Sequence, residues 1–316
     1  MLHLRLIVPA DLRDPVLTCL DDCVGATHVV LLPGAAVRPA GDVVLCDVAR
    51  ESADELLAGL RGTGLTERGA IDVQEVELAL SAAAEEAERL APGEGADALV
   101  WEAVSEITHE ESTLTGVYLA FLAVAMMLAA CGAVLDSAIL VVGAMAVGPE
   151  FGPLAGLCVA LVQRRARPAL RSLNALVAGF AVAMALTVLF SLLMDGFGLF
   201  SHERFEAARP NTSFIWQPDA TSFVVAFLAG VAGLLSLTSA KAGMLVGVAI
   251  SVTTVPAAAN AAVALGYGDF RQFWGSSLQL LLNLAGIAVA GVLTLLVQQV
   301  AWRRIRRRAS GEKAVG

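Results

Sequence analysis

Cysteine and histidine are scarce in this sequence, with five Cys and four His in 316 residues. Cys19 and Cys23 stand four apart, which is one face of a helix, but no His cluster and no second Cys pair accompanies them. They read as reduced, buried thiols rather than a metal site. The chain also lacks HExxH, GxSxG, a Gly-rich phosphate loop, a catalytic triad order and paired aspartates on adjacent apolar segments. No enzyme activity, cofactor or metal is therefore expected. A basic nucleic-acid face is missing too, and an acidic N-terminal region argues against nucleic acid as a partner. The first residues, MLHLRLIVPADLRD, have no basic n-region and too short an apolar run for a signal peptide. The N-terminal region is accordingly expected in the cytoplasm.

What the chain has in abundance is apolar sequence. It is 57% hydrophobic with a mean hydropathy of +0.72, which points to a membrane protein. Charge is unevenly divided. Residues 1–112 carry 22 Asp+Glu against 7 Arg, net −15, whereas residues 113–316 hold 8 against 14 Lys+Arg, net +6. An acidic, water-soluble region thus precedes an apolar one with basic edges.

Within residues 1–80, alternation and turn signals predict strands at 2–8, 27–33, 41–48 and 70–78, and helices at 11–23 and 52–62. Asp11 reads as the cap of the first helix, and Ser52 with Glu55 as a capping box on the second. The order β-α-β-β-α-β is that of a ferredoxin-like α+β domain. His3 and His28 read as ordinary strand residues. Residues 81–112 read as a helical linker interrupted at 91–95, with Leu99, Val100, Ala103, Val104 and Ile107 on one face.

Six segments of residues 113–302 are long enough to cross a bilayer: 113–135, 137–163, 169–194, 221–240, 242–267 and 276–300. Four Arg at 163–171 and five at 303–308 predict a cytoplasmic side. Asp195, Glu203, Glu206 and Asp219 lie in the stretch 195–220, predicted on the other side. This gives a multi-pass protein of the cytoplasmic (inner) membrane with both termini inside and a basic tail, 303–316.

The second and fifth segments are alike. Each opens on Ser-Ala, runs through small residues, breaks at polar and proline residues, and resumes. Each is the middle of a triplet, so the second triplet enters from the opposite side. A 3+3 inverted repeat with two broken helices is the expectation, as in secondary transporters. Glu150, between Gly148 and Gly152, is expected at one break, and Ser251, Thr253 and Thr254 at the other. An ionisable group at membrane depth marks a candidate site. The three hydroxyls read either as ligands or as back-bonding helix residues. Asn260 joins the expected site. Asn283, Lys241 and Asp136 are secondary candidates, Lys241 reading also as a snorkelling residue and Asp136 as a helix cap. Gln279 and Asn174 read as weaker candidates that tie helices together.

The stretches DSAILVVGAMAVGPEFGPLAGL (136–157), SLTSAKAGMLVGVAISVTTVPAAANAAVALGYGD (236–269) and SLQLLLNLAGI (277–287) resemble a bacterial and archaeal membrane-protein family, the uncharacterised hydrophobic domain, a domain of unknown function. The resemblance covers roughly residues 113–300. The family's common first motif is Ser-Pro-Leu-Met-Gly-Pro, and this chain departs from it with the charge of Glu150. Together these features lead to an expectation: a homo-oligomeric transporter or channel-like permease for an ion or small polar solute, with a regulatory or assembly domain in the cytoplasm. The competing expectation is a membrane-anchored metabolite sensor without transport.

Overall fold

The structure, a computed structural model, describes residues 1–76, 79–91, 101–238 and 254–313. It divides into two compact units, one of Met1–Val104 with Thr238 and the described residues from Gln298 on, and one of Ser105–Leu237 with the described residues up to Val297.

In the first unit, strands β1 (Leu2–Val8), β2 (Ala26–Val37), β3 (Ala40–Val48) and β4 (Ala70–Glu75) form one antiparallel sheet in the order β2-β3-β1-β4. Helices α1 (Arg13–Asp21) and α2 (Arg50–Gly62) make the crossovers, and a short α3 (Leu65–Arg68) precedes β4. This is the split β-α-β order expected of a ferredoxin-like sandwich. Period-2 alternation explains the layering. Leu2, Leu4, Leu6 and Val8 of β1 are buried with Val16, Leu20, Leu57 and Leu60 of the helices, while His3, Arg5 and Ile7 face the other way.

Both expected caps are wrong. The first helix follows a 3-10 turn at Ala10–Leu12, and the Asp11 carboxylate instead accepts from Arg68 Nη1 (2.6 Å) and Nη2 (2.8 Å). The α2 helix starts at Arg50, two residues early, which places Ser52 inside the helix and buries it.

The outward face of the sheet gathers a polar cluster. Asp47, opposite His3 in the β1–β3 register, accepts from His3 Nδ1 and His28 Nδ1, each at 2.7 Å. A register shift after Thr27 puts His28 at φ 50°, and its Nε2 bonds Ser81, the side-chain cap of α4 (Ala82–Leu90), at 2.8 Å. Burial pushes the Asp47 carboxyl up, but the bonds from His28 and His3 outweigh it and hold the group below its usual value. A carboxyl with a depressed folded value stabilises in full above its unfolded value of about 4, and that stabilisation fades as pH falls through the folded value. Replacing Asp47 with Asn is expected to cost roughly 1–3 kcal/mol at pH 7. It is also expected to flatten the acid end of the stability profile. Hydrogen exchange of the β1–β3 amides between pH 7 and pH 3 measures both.

Among the described residues, four helices, most of whose length lies in the second unit, are long and apolar enough to cross a membrane: α6 (Gly116–Val134), α9 (Ala166–Gly196), α11 (Ala220–Thr238) and α13, whose apolar part is Phe270–Trp302 within Phe270–Lys313. The chain is a membrane protein on this composition. On α6, Val117, Phe121, Val124 and Leu128 form an exposed apolar stripe, while Leu122, Ala125, Met126, Ala129 and Ala133 are buried. An apolar stripe left open on an apolar helix suits lipid contact. The second segment is two shorter helices, α7 (Ala138–Met145) and α8 (Phe151–Val162). Helix α12 (Val255–Tyr267) is the described part of the fifth segment. Helix α5 (Trp101–Glu111), of which the residues from Ser105 belong to this unit, and α10 (His202–Glu206) are the other helices among the described residues.

Small residues set the close approaches. A Cβ on Gly230 of α11 would lie 2.7 Å from Ile287 O and 2.8 Å from Ile287 Cα of α13. The clash is with backbone, which no rotamer change relieves. Gly230→Val is expected to lower stability by about 1–3 kcal/mol or more by forcing α11 off α13. Gly143 has nothing within 4 Å of its would-be Cβ, so Gly143→Ala, a small propensity gain, is the control in a melting comparison in detergent.

Candidate functional site at the helix breaks

The break in the second segment runs from Ala146 to Glu150. Its cause is local. Pro149 has no N–H to continue α7, and Pro153 falls in the first turn of α8, where a missing N–H is harmless. The residue before Pro153 is Gly152, whose lack of a Cβ eases the crowding a proline imposes on its predecessor. Gly152 serves packing as well, because a Cβ there would meet Glu111 Cβ at 2.5 Å. Gly148 is half-buried within the break.

The described part of the fifth segment is helical from Val255, with Pro256 in the first turn and Thr254 as the residue before it. Every residue from Val255 to Ala264 is buried. Six of those ten are alanines, which lets α12 pack against both α6 and α9. An apolar helix buried on all sides belongs at the centre of its unit.

The two segments meet at side-chain level. The Thr254 hydroxyl donates to Glu150 Oε1 at 2.7 Å, and both residues are 1% exposed. Neither caps its own helix with its side chain. The groups that a helix start ordinarily turns inward are committed across 104 residues of sequence instead. Of the expected site residues, Glu150 and Thr254 are therefore joined directly, with Gly148 and Gly152 flanking. Ser251, Thr253 and Lys241 lie outside the described residues.

Asn260 belongs to a different cluster, one and a half turns farther along α12. Its Oδ1 accepts from Arg209 Nη1 at 3.0 Å, and its Nδ2 donates to Ser276 Oγ at 2.9 Å. Arg209 is only 6% exposed. It also donates to Ala133 O (3.2 Å) at the end of α6 and to Gln272 Oε1 on α13, and lies 4.3 Å over the Phe205 ring. Burial lowers the pKa of Arg209, and the charges of Asp136 and Asp269 work against that shift. Arg209 stands beside Pro210 in a polar loop, and its burial has no local signal in the sequence.

Asp136 does not cap α7. Ser137 does, accepting from Leu140 N at 3.4 Å. Asp136, at φ 51°, turns the chain and accepts from Asn211 N (3.1 Å), Asn211 Nδ2 (3.0 Å) and Thr212 Oγ1 (2.9 Å). With Arg209 it fastens the 197–219 loop to the helix ends. Asn283 is fully buried and accepts from Gln279 Nε2 at 3.4 Å, a contact between successive turns of α13. Asn174 is exposed. Among the described residues no group of three or more His, Cys, Asp or Glu is placed to hold a metal ion.

Comparison with known proteins agrees with the resemblance seen in the sequence. Residues 145–289 match the family model described as a domain of unknown function, DUF389. The uncharacterized protein MJ0678 of Methanocaldococcus jannaschii is 23% identical over 195 residues, which cover 62% of this chain and 58% of that protein. The chain thus spans under two thirds of that relative's length. No solved structure matches the chain.

Proposed function

We propose that this chain, which carries the domain of unknown function over residues 145–289, is a permease rather than an enzyme, and that it moves an ion or a small polar solute past the two helix breaks. The observation that carries the reading is the bond between Glu150 and Thr254, buried and shared by the residues that directly precede α8 and α12. A carboxylate held among apolar helices is costly and calls for a role. Interrupted helices leave backbone dipoles with which to replace a hydration shell.

In this reading six segments cross, four as long helices and two as broken ones, and the two triplets are inverted repeats. Matching packing in the two halves supports it. Gly179 of α9 sits against Tyr118 of α6 as Gly230 of α11 sits against α13. Cys158 of α8 reaches Ala288 O of α13 (3.6 Å), and Gly266 of α12 lies against Ser191 of α9. The arginine clusters then face the cytoplasm of a bacterial inner membrane, together with both termini, and the 197–219 loop faces out. Residues 1–80 form a regulatory or assembly domain, 81–112 a linker and 303–316 a basic tail, and the protein works as a homo-oligomer. Transport proceeds by one repeat rocking against the other.

The test is flux through the full chain in proteoliposomes, with the ion composition varied on each side. Saturable flux sensitive to Glu150 substitution supports the reading. Absence of flux, with a small metabolite binding to residues 1–80, favours a sensor instead.

A further inference from the structure

Arg209 is 6% exposed, so its guanidinium charge is nearly sealed inside the protein. An arginine side chain has five N–H donors. Three are spent here on neutral oxygens: Nη1 on Ala133 O (3.2 Å) and Asn260 Oδ1 (3.0 Å), and Nη2 on Gln272 Oε1. Among the described residues no carboxylate forms an ion pair with Arg209, and its Nε and one Nη2 hydrogen have no acceptor. A buried charge held on neutral partners alone is costly, and a counter-ion offsets that cost. The same side chain lines a cavity of about 380 Å³ between α10, the loop that follows it and the first turn of α13. Ser213, which opens a 3-10 turn, and half-buried Trp216 line it too. Ser213 Oγ and Trp216 Nε1 also have no hydrogen-bond partner among the described residues. Arg209 Nε, Ser213 Oγ and Trp216 Nε1 all keep accessible surface, each on a residue that lines the cavity.

Three open donors, one of them cationic, select an anion. The charges around them limit it to a single negative charge. Glu206 is the one carboxylate in the lining, and it stands exposed, 3.2 Å from His202 Nε2. Asp136 and Asp269 act on Arg209 but are committed elsewhere, Asp136 to Asn211 and Thr212 and Asp269 to Gln272 N (3.0 Å). Carboxylates so close repel a multiply charged anion more than a monoanion. Arg271, 5.6 Å over the Trp216 ring, adds a second cation beside the wall. The space far exceeds the roughly 10–15 Å³ that one water needs, and Ala208, Pro210 and Trp216 offer apolar surface to methylene groups. We propose that this cavity binds a small organic monocarboxylate. The carboxylate pairs with Arg209 through Nε and takes further bonds from Ser213 Oγ and Trp216 Nε1, while its short alkyl part lies on Pro210 and the Trp216 ring. Such a site is independent of the Glu150–Thr254 bond and of transport.

Saturation-transfer NMR of propionate with the full chain in detergent micelles tests the cavity without flux. Transfer that saturates with propionate is expected, absent from empty micelles and undiminished by equimolar sulfate or chloride. Apparent affinity should fall about tenfold in the double variant Ser213→Ala, Trp216→Phe. Neither side chain makes a hydrogen bond among the described residues, and phenylalanine keeps a ring beneath Arg271. Arg209→Lys should abolish binding. It also loosens the network around Asn260, so melting temperatures are recorded, and the double variant carries the decision if Arg209→Lys unfolds. Lack of saturable transfer, transfer to propylammonium equal to that to propionate, displacement by equimolar sulfate, or wild-type affinity in the double variant overturns the proposal. Glu150→Gln is expected to keep propionate binding while losing flux, so the cavity and the breaks stand or fall separately.

Discussion

Flux through Glu150→Gln is expected to fall about 10- to 100-fold, the equivalent of losing a charge-assisted contact worth roughly 1.5–3 kcal/mol. The substitution is nearly isosteric, and the new amide oxygen still accepts from the Thr254 hydroxyl, which in the native protein lies 2.7 Å away. Charge is removed and geometry is kept, so the melting temperature should barely move. Thr254→Val makes the opposite change, keeping the carboxylate and removing its donor. It is expected to cost stability of about 1–3 kcal/mol along with flux. Proteoliposome flux and melting in detergent, measured on both variants, separate the two contributions. Wild-type flux in Glu150→Gln would take the carboxylate out of the mechanism.

Arg209→Met is expected to be the most destabilising single change in the second unit, at about 3–5 kcal/mol. Methionine replaces the aliphatic stem of the side chain and removes all its donors. Asn260 Oδ1, Gln272 Oε1 and Ala133 O each lose a bond from a buried guanidinium, and a buried acceptor so abandoned costs roughly 1–3 kcal/mol. The Phe205 contact is lost as well. The melting temperature should drop by roughly 5–15 °C. Asn260→Ala in the Arg209→Met background should add little, because both act on one network. Additive losses would show that Arg209 and Asn260 act independently.

The two expected results fall on groups that were unequally legible. Glu150 announces itself, since a charge between Gly148, Pro149, Gly152 and Pro153 inside an apolar run admits few explanations. The break is equally legible, because proline removes a donor wherever it stands. Arg209 gives no such sign. It sits beside Pro210 in a polar loop, where an arginine is ordinarily solvated. Only the return of that loop over α6, α12 and α13 buries it. Asn260 was drawn toward the wrong neighbours for the same reason. Spacing along α12 fixes its distance from Thr254, but the rotation of that helix against α13 decides which partners it meets. The caps at Asp11 and Ser52 failed at smaller scale, where Arg68 and an early helix start outbid local pattern.

The sequence by itself determined the division into an acidic region and an apolar one, the β-α-β-β-α-β order, the apolar helices and the interruption at Glu150. Each follows from period, hydropathy or the covalent limits of proline, all of which act over a few residues. Tertiary structure alone decided that Glu150 and Thr254 share a hydrogen bond, that Arg209 is buried on neutral acceptors, and that Arg209 and Gln272 line one cavity. These depend on contacts between residues 51 to 104 positions apart, or on space enclosed by three elements. No local preference specifies them, because they arise only when whole helices settle their mutual rotation and depth.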